Sequence, residues 1–421
     1  MADVGVWEDI VEIESDQAAY NYQCKHGLLE EIFVSSDQAF RDLGPELRLR
    51  SVAVFHQVLQ SFDGSGYDAP LNTFRPQRMV EEAYRHAIGQ RGKDCVITKF
   101  FHFLTFDANP IPTTPDETLQ RISSIVSPPR TTRQAREKKD WLLRRVRQWA
   151  LFLLHTFFRP FQAVGGTTIP VTTPPGFSMS LPHSQVGTSH RHTDLRRRCM
   201  VRDHHRCVIT RRFDTSESIR RLVRDRDAKE DEGNLLRDII RDNLDRLEVA
   251  HIIPHALNAV ESEASNLSTN QKLMRGVLDM FDPTILNELD GAEIDRPRNA
   301  ITLTANMHEM FGKLNLFFQP TAAWTRENQE YDVRPIREEF LFDAVTRVLL
   351  EGNREEMPSR RYLELHAACA HICYLSGAGE YTDKLNDDLE WGEAREDGGT
   401  DIGALVVARL VGTVPRGVRA Y

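Results

Sequence analysis

The sequence predicts an α+β fold, in which a mainly helical protein contains one small unit of two strands and a helix (ββα). Apolar residues recur at helical spacing over much of the chain, whereas strand-like alternation is confined to residues 248–253, 300–304 and 314–318. A segment rich in Gly, Pro and Thr, residues 161–191, has no helical period. With 421 residues, 40% hydrophobic and 27% charged, the composition is typical of a globular protein of two to three domains.

These patterns divide the chain into four regions. We predict a helical N-terminal region (1–160), a Gly/Pro/Thr-rich linker (161–191), a ββα region (192–320) with a charged insertion (214–246), and a helical C-terminal region with an acidic tail (321–421). The chemistry is expected in the third region, since the other three lack a recognisable catalytic pattern.

Helices are predicted wherever the apolar spacing continues for two or more turns. The predicted helices cover residues 36–62, 78–91, 115–125, 131–158, 193–202, 235–247, 270–281, 305–312, 339–352, 360–376 and 401–411. Thr113 or Thr114 is expected to cap the third of these helices. In the fourth helix, Arg144, Arg145 and Arg147 are expected to point away from the apolar face.

The chain carries no pattern typical of secretion or membrane insertion. Its first 15 residues are acidic and lack an apolar core, and its longest apolar run, residues 149–158, is too short to cross a bilayer. The six cysteines form no CxxC pair and no disulfide framework, which is typical of a reducing compartment. We therefore expect an intracellular protein of the nucleus or cytoplasm, with no membrane partner.

Charge is distributed unevenly along the chain, although the net charge is −9. Residues 191–226 contain twelve Arg against five acidic residues, and residues 131–160 contain eight basic residues against two acidic ones. Residues 377–401 have nine acidic residues and two basic ones. The basic segments can hold nucleic acid phosphates, or they can be solvated helix faces.

Residues 247–318 contain the pattern on which the functional prediction depends. The predicted strand reads Leu-Glu-Val-Ala-His251-Ile-Ile-Pro, Asn299 opens the next strand, and His308 lies on the following helix, eight intervening residues after Asn299. A neutral imidazole takes a proton from water near neutral pH, so His251 is predicted to be a general base. An amide at Asn299 can fix the loop or orient the imidazole ring.

His308 is predicted to bind one divalent metal ion from the inner face of its helix. Such an ion neutralises a scissile phosphate and stabilises the leaving oxygen during phosphodiester hydrolysis. Magnesium, manganese and zinc all fit, because imidazole favours the softer metals whereas phosphate favours magnesium. With one imidazole as its only firmly identified protein ligand, the ion should be weakly held.

These residues resemble the fungal branch of the HNH nuclease-domain proteins. The matching segments are Arg202-Asp-His-His-Arg-Cys207-Val-Ile-Thr, Leu247-Glu-Val-Ala-His-Ile-Ile-Pro-His255, Asp295-Arg-Pro-Arg-Asn-Ala-Ile-Thr-Leu-Thr304 and Met307-His-Glu-Met-Phe-Gly312. The resemblance implies a ββα-metal finger that cleaves DNA or RNA with a single metal ion. It implies His251 as the base, His308 as the metal ligand and Asn299 as the orienting residue.

The chain departs from the pattern of this family at two positions. Many HNH enzymes place Asp or His directly before the base as a second metal ligand, whereas this chain has Ala250. Colicin-like members carry a further ligand one helical turn after the second His, where this chain has Gly312. Glu248, on the same strand face as Ala250, is the predicted replacement ligand. His255 and Glu309 are the other candidates.

The sequence thus favours a metal-dependent HNH endonuclease that hydrolyses phosphodiester bonds, with DNA preferred over RNA as its substrate. The alternative is a catalytically inactive HNH scaffold that serves as a protein-interaction or nucleic-acid-binding module. The sequence does not indicate which protein partners such a scaffold would bind. The arginines expected to contact phosphates are Arg196, Arg197, Arg198, Arg202, Arg211 and Arg212.

Two further groups of Cys and His are interpreted as packed side chains rather than metal sites. They are Cys199 and Cys207 with His204 or His205, and Cys369 and Cys373 with His366 and His371. The spacing in the first group fits no standard zinc site, and the second lies on a predicted helix among Ala and Leu residues.

Overall fold

The computed structural model describes residues 32–33, 43–67, 70–105, 114–128, 130, 132–165, 183–239, 241–255, 269–337, 343–349 and 355–391. These described residues form two compact units that interleave along the sequence. The first contains those within 1–160, 272–283 and 371–421, and the second contains those within 161–271 and 284–370. The four-region division drawn from the sequence remains a prediction.

Helices account for most of the described residues. In chain order they are α1 (Pro45–Gln60), α2 (Pro76–His86), α3 (Gly89–Thr105), α4 (Pro115–Val126), α5 (Arg133–Leu153), α6 (Arg159–Gly165), α7 (His183–Arg202), α8 (Thr215–Arg224), α9 (Thr269–Phe281), α10 (Leu286–Leu289), α11 (Ala305–Gly312), α12 (Arg360–Leu375) and α13 (Ala378–Trp391). A π-helical turn, Leu154–Phe158, joins α5 to α6. Short 3-10 turns occur at Leu236–Asp238, Arg241–Asn243, Gly291–Asp295 and Pro297–Asn299.

The strands are short and form three small sheets. They are β1 (Phe213–Asp214), β2 (Leu244–Asp245), β3 (Leu247–His251), β4 (Ala300–Thr304), β5 (Leu316–Pro320), β6 (Gln329–Pro335) and β7 (Val345–Leu349). β1 pairs with β2 in parallel, β3 pairs with β4 antiparallel, and β5, β6 and β7 form an antiparallel meander. A mainly helical chain with these small sheets confirms the predicted α+β class.

The first unit is held together by an aromatic core around Trp149. The indole is fully buried, and its ring lies 5.0 Å from Phe103, 5.5 Å from Phe152 and 5.7 Å from Phe33. Large buried rings of this kind dominate core stability because each removes a large apolar area from water. Thr132 caps the helix that carries Trp149 by accepting a hydrogen bond from the backbone N–H of Ala135.

The predicted orientation of the arginines on α5 is wrong for two of the three. Arg144 is exposed, but Arg145 and Arg147 are only 5% and 6% exposed. The Arg145 guanidinium donates to the Phe103 carbonyl over 2.7 Å and lies 4.5 Å from the centre of the Phe103 ring. The long side chain therefore packs along the apolar surface while its charged end finds a carbonyl and an aromatic face.

In the second unit, the antiparallel pair of strands β3 and β4 lies between two helices. α7 packs on one face, where Leu195 and Cys199 form a buried cluster with Val249 of β3 and Ala300 of β4. α11 lies against both strands, and Thr304 caps its N-terminus by accepting a hydrogen bond from the N–H of Met307 through its hydroxyl. The order strand, strand, helix is the ββα arrangement predicted from the sequence.

Several predicted elements differ in the structure. Residues 235–247, predicted as a helix, form two 3-10 turns and β2, and residues 345–349 of the predicted helix 339–352 form β7. α6 and α7 extend into the predicted linker from both ends, while residues 166–182 and the predicted helix 401–411 lie outside the described residues. The helices predicted at 115–125, 270–281, 305–312 and 360–376 are confirmed within two residues.

None of the described helices has both the length and the apolar character needed to cross a membrane.

Two buried histidines are expected to make the fold sensitive to acid. Burial is the main reason that the pKa of His155 and of His366 falls to about 3, and the nearby Arg159 charge contributes to the shift of His155. The unfolded chain binds these protons below about pH 6.5. Their contribution to stability is therefore complete above pH 6.5 and is lost as the pH falls toward 3. Between about pH 6.5 and 5, each should lower the free energy of unfolding by about 2 kcal/mol.

This acid sensitivity can be measured as urea unfolding midpoints at pH 7 and pH 5 in His155→Gln and His366→Gln. Glutamine is polar but does not titrate, so each variant should lose less stability than the parent over this interval. His56→Gln, at an exposed position, is the matched control and should behave as the parent does. An equal loss in the parent and in both buried-site variants would contradict the assignment.

Candidate active site

His251 lies at the end of strand β3, which pairs antiparallel with β4. His251 pairs with Ala300 in the antiparallel register, and Glu248 pairs with Leu303. Because side chains alternate along a strand, Glu248 and His251 project to opposite faces. His251 therefore shares the face of Val249, on which α7 packs, and its imidazole lies 6.2 Å from that of His192 on α7.

The side chain of Asn299 fixes the turn that follows His251 through hydrogen bonds to the backbone. Its side-chain Oδ1 accepts from the N–H of Ile253 over 2.9 Å, and its Nδ2 donates to the carbonyls of Ile253 and Ile294, each over 2.9 Å. The side chain is fully buried, so these three bonds satisfy it in the interior. Of the two roles left open by the sequence, the observed contacts are those of a residue that fixes the loop.

Asp295 is the hydrogen-bond partner of the predicted base. His251 Nε2 lies 3.2 Å from Asp295 Oδ1, and the carboxylate side chain is only 3% exposed. Burial alone would raise the pKa of Asp295, but the hydrogen bond from His251 and the neighbouring imidazole of His255 hold that pKa below its usual range. A charged carboxylate at this place selects the tautomer that carries its proton on Nε2, which leaves Nδ1 of His251 as the basic nitrogen.

The imidazole of His251 is held in its neutral form. Burial lowers its pKa, and the charges of His255 and His308 act in the same direction, whereas the hydrogen bond and charge of Asp295 raise it. The net shift is downward. A neutral, oriented imidazole is the state that a general base requires before the reaction.

His308 and Glu248, the two predicted metal residues, are in direct contact. His308 Nδ1 lies 2.9 Å from Glu248 Oε2, and the imidazole is 1% exposed. Among the described residues, the Nε2 atom of His308 has no hydrogen-bond partner. A metal-binding histidine usually donates its other ring N–H to a carboxylate, so the residues fit a cation at Nε2 with Glu248 orienting the ring.

A second group of possible ligands surrounds Asp295. His192, His255 and Asp295 place one ligand atom each within 4.8 Å of one another, and no other such group of three occurs among the described residues. None of the cysteines belongs to it. Cys199 is buried in the α7 core, and Cys369 and His366 are fully buried on α12, in agreement with the packing interpretation.

Most of the arginines expected to contact phosphate are engaged within the domain. Arg202 is fully buried, so its predicted phosphate contact is wrong. The others are bonded to the Leu247 carbonyl (Arg196), Asp194 (Arg197), Glu355 (Arg198), Glu232 (Arg211) and Asp245 (Arg212). Arg296 is likewise paired with Glu293 and Glu356. The local excess of positive charge is therefore largely balanced by neighbouring acidic groups.

The sequence patterns do not reveal that Asp295 and His192 lie beside His251. Asp295 is 44 residues from His251, and His192 is on a helix 59 residues before it. Only the folded turn Gly291–Asp295 and the packing of α7 bring them together. Asp295 does lie four residues before Asn299 in a segment already matched to the HNH pattern, which was the one signal available.

Residues 207–319 match a family model described as HNH endonuclease. No curated protein and no solved structure matches the chain. The match confirms the predicted HNH endonuclease domain, which implies nucleic acid binding and a divalent metal ion as general properties of such domains. The match includes Glu248, His251, Asn299 and His308 but begins after His192. The resemblance to the fungal branch of these proteins remains a prediction.

Proposed function

We propose that this protein is a metal-dependent nuclease that hydrolyses phosphodiester bonds in nucleic acid, with DNA as the preferred substrate. The observation that carries the proposal is the His251–Asp295 pair, in which a buried carboxylate orients a neutral imidazole inside the HNH-matched segment. Such a pair is a standard device for activating a water molecule. His251 and Asn299 are the proposed catalytic and positioning residues.

In the proposed reaction, His251 Nδ1 takes a proton from a water molecule. The water oxygen then forms a bond to phosphorus as the bond from phosphorus to the leaving oxygen breaks, and the leaving oxygen receives a proton from solvent. Asp295 stabilises the imidazolium that results, because its carboxylate lies 3.2 Å from His251 Nε2. Asn299 acts through the backbone: it fixes Ile253 and Ile294, which flank the pair.

His308 is the proposed protein ligand of the divalent cation, and Glu248 holds its ring in orientation. The cation, when bound, supplies positive charge for the scissile phosphate and the leaving oxygen. Nε2 of His308 is the donor atom available to it, since Nδ1 is engaged by Glu248 over 2.9 Å. The proposed Glu248 role is thus that of an orienting carboxylate, with its sequence-based assignment as a direct ligand still a prediction.

The proposed activity can be tested on labelled duplex and single-stranded oligonucleotides of DNA and RNA. We expect cleavage in magnesium or manganese, loss of cleavage in a chelator, and faster cleavage of DNA than of RNA. Salt-dependent binding of the same oligonucleotides without any cleavage would instead support a binding module.

Loss of the charge on Glu248 should weaken metal binding without removing the base. In Glu248→Gln, we expect the manganese concentration for half-maximal cleavage to rise by about 10- to 100-fold, because the outer carboxylate no longer orients His308. Glu309→Gln is the control, since Glu309 is on the same helix but is exposed and paired with Lys313. An equal metal requirement in both variants would contradict the assigned role of Glu248.

A second candidate function is a catalytically inactive scaffold that binds proteins or nucleic acid. It is favoured by Ala250 and Gly312, which lack ligand atoms at the two family positions, and by the pairing of the basic side chains with acids. The oligonucleotide assay separates the two functions, because a scaffold predicts no cleavage under any metal condition.

A further inference from the structure

The carboxylate of Asp295 has more imidazole neighbours than it can hydrogen-bond. His251 Nε2 lies 3.2 Å from Oδ1, which is a hydrogen bond. His255 Nε2 lies 3.5 Å from Oδ2, and His192 Nε2 lies 3.8 Å from Oδ1. The last two separations exceed the usual length of a hydrogen bond, so hydrogen bonding does not explain why these two rings lie next to the carboxylate.

The separations agree with ligands that share a cation. Zinc binds His nitrogen and Asp oxygen at about 2.0–2.2 Å, so neighbouring ligands in a tetrahedral site are roughly 3.4 Å apart. The 3.5 Å from His255 Nε2 to Asp295 Oδ2 is close to that value, and His192 Nε2 lies 3.8 Å from the other oxygen of the same carboxylate. One ligand atom of each of the three residues lies within 4.8 Å of the other two.

Two of these atoms are buried without a hydrogen bond. Among the described residues, Asp295 Oδ2 and His192 Nε2 have no hydrogen-bond partner, and the Asp295 side chain is 97% buried, being only 3% exposed. A buried, charged oxygen without a hydrogen bond is costly, and a bound cation removes that cost. This observation is independent of the distances and points to the same ligand.

We propose that His192, His255 and Asp295 form a second metal site, of the zinc class, distinct from the cation at His308. Two imidazole nitrogens and one carboxylate oxygen favour zinc and similar transition metals over magnesium, which prefers oxygen ligands. Three protein ligands leave one tetrahedral position for water. The inference goes beyond the proposed function, since the site includes His192, outside the segment that matches the HNH model.

The proposed site ties together three elements that are separate in the sequence. His192 comes from α7, His255 follows the β3 strand, and Asp295 ends the 3-10 turn Gly291–Asp295. A cation bound to these three residues would hold α7 against the strand pair of β3 and β4 and keep Asp295 in place beside His251. Metal binding should therefore stabilise the second unit by mass action.

One neighbouring charge opposes cation binding. Arg191 Nε lies 3.7 Å from Asp295 Oδ2, and its side chain is 49% exposed. The exposed guanidinium can turn toward solvent when a cation binds. Removing the Arg191 side chain should strengthen metal binding, so Arg191→Ala is expected to gain affinity for the cation rather than lose it.

The test is the zinc affinity and zinc content of the full chain, measured by calorimetry and by metal analysis after dialysis. Loss of an outer partner alone weakens metal binding by roughly 10- to 100-fold, so we expect His192→Ala and His255→Ala to weaken zinc binding by about 100-fold or more. Arg191→Ala should bind zinc more tightly than the parent. Cobalt in place of zinc should give the visible absorption of a tetrahedral site in the parent and not in His192→Ala.

His308→Ala is the control that separates the two metal sites, and it should retain the tight zinc and the cobalt spectrum. Circular dichroism identifies any variant that fails to fold. The proposal is overturned if the folded parent binds no zinc, if His192→Ala and His255→Ala bind it as the parent does, or if Arg191→Ala gains nothing. These outcomes do not depend on cleavage, so failure of the nuclease proposal would be recognised separately in the oligonucleotide assay.

Discussion

Replacement of His251 by alanine is expected to lower the rate of phosphodiester cleavage by about 10²- to 10⁴-fold, the usual contribution of a general base. The variant leaves water without a proton acceptor at Nδ1, while Asn299 still fixes the turn and His308 remains available for the metal. The rate is measured in single-turnover cleavage of a labelled DNA duplex at saturating manganese. Metal and substrate affinities should change much less than the rate.

His56→Ala is the matched control for this prediction. His56 is an exposed histidine of the first unit, so its removal tests whether loss of any imidazole lowers the rate. The control should cleave at the parental rate. A correctly folded His251→Ala variant that cleaves as fast as His56→Ala would show that His251 is not the base.

Replacement of Arg202 by methionine is expected to cost about 3–5 kcal/mol of unfolding free energy, because it leaves a buried partner charge uncompensated. Arg202 is fully buried and donates to both carboxylate oxygens of Asp203, each over 2.8 Å. It also donates to the carbonyls of Pro297 over 2.7 Å and Ala300 over 2.9 Å. It therefore connects the end of α7 to the turn and strand on either side of Asn299.

The stability of this variant is measured by urea unfolding with a spectroscopic probe. Arg197→Met is the control on the same helix, since its side chain is 67% exposed and pairs with Asp194 across the surface. That change should leave the urea midpoint close to that of the parent, because an ion pair on the surface contributes little to stability. Adding Asp203→Asn to Arg202→Met should recover part of the lost stability. An Arg202→Met variant as stable as the parent would contradict the buried role of Arg202.

The ββα core could be predicted from the sequence because its signals are local. β4 alternates within Ala300–Thr304, Thr304 can cap a helix, and Ala305–Gly312 follows directly, so the observed bounds agree with the predicted ones. His308 and Glu248, predicted as a metal pair, lie in contact. Here local propensity, pairing and packing all favour the same structure.

The remaining parts depend on tertiary contacts that local patterns do not contain. Residues 345–349 were predicted as a helix, yet the β-branched residues Val345, Thr346 and Val348 favour the strand that pairs with β6. Asp295 reaches His251 only through the fold of a 3-10 turn, and His192 only through the packing of α7. Polar residues in turns have no periodicity from which their partners could be read.

Nicking of supercoiled plasmid by the purified full chain tests whether the His251–Asp295 pair lies in a working hydrolytic site. We expect open-circular and linear DNA to form with magnesium or manganese, and neither to form in a chelator or with His251→Ala. A folded, metal-loaded protein that leaves the plasmid intact, or nicking that persists unchanged in His251→Ala, would contradict the account.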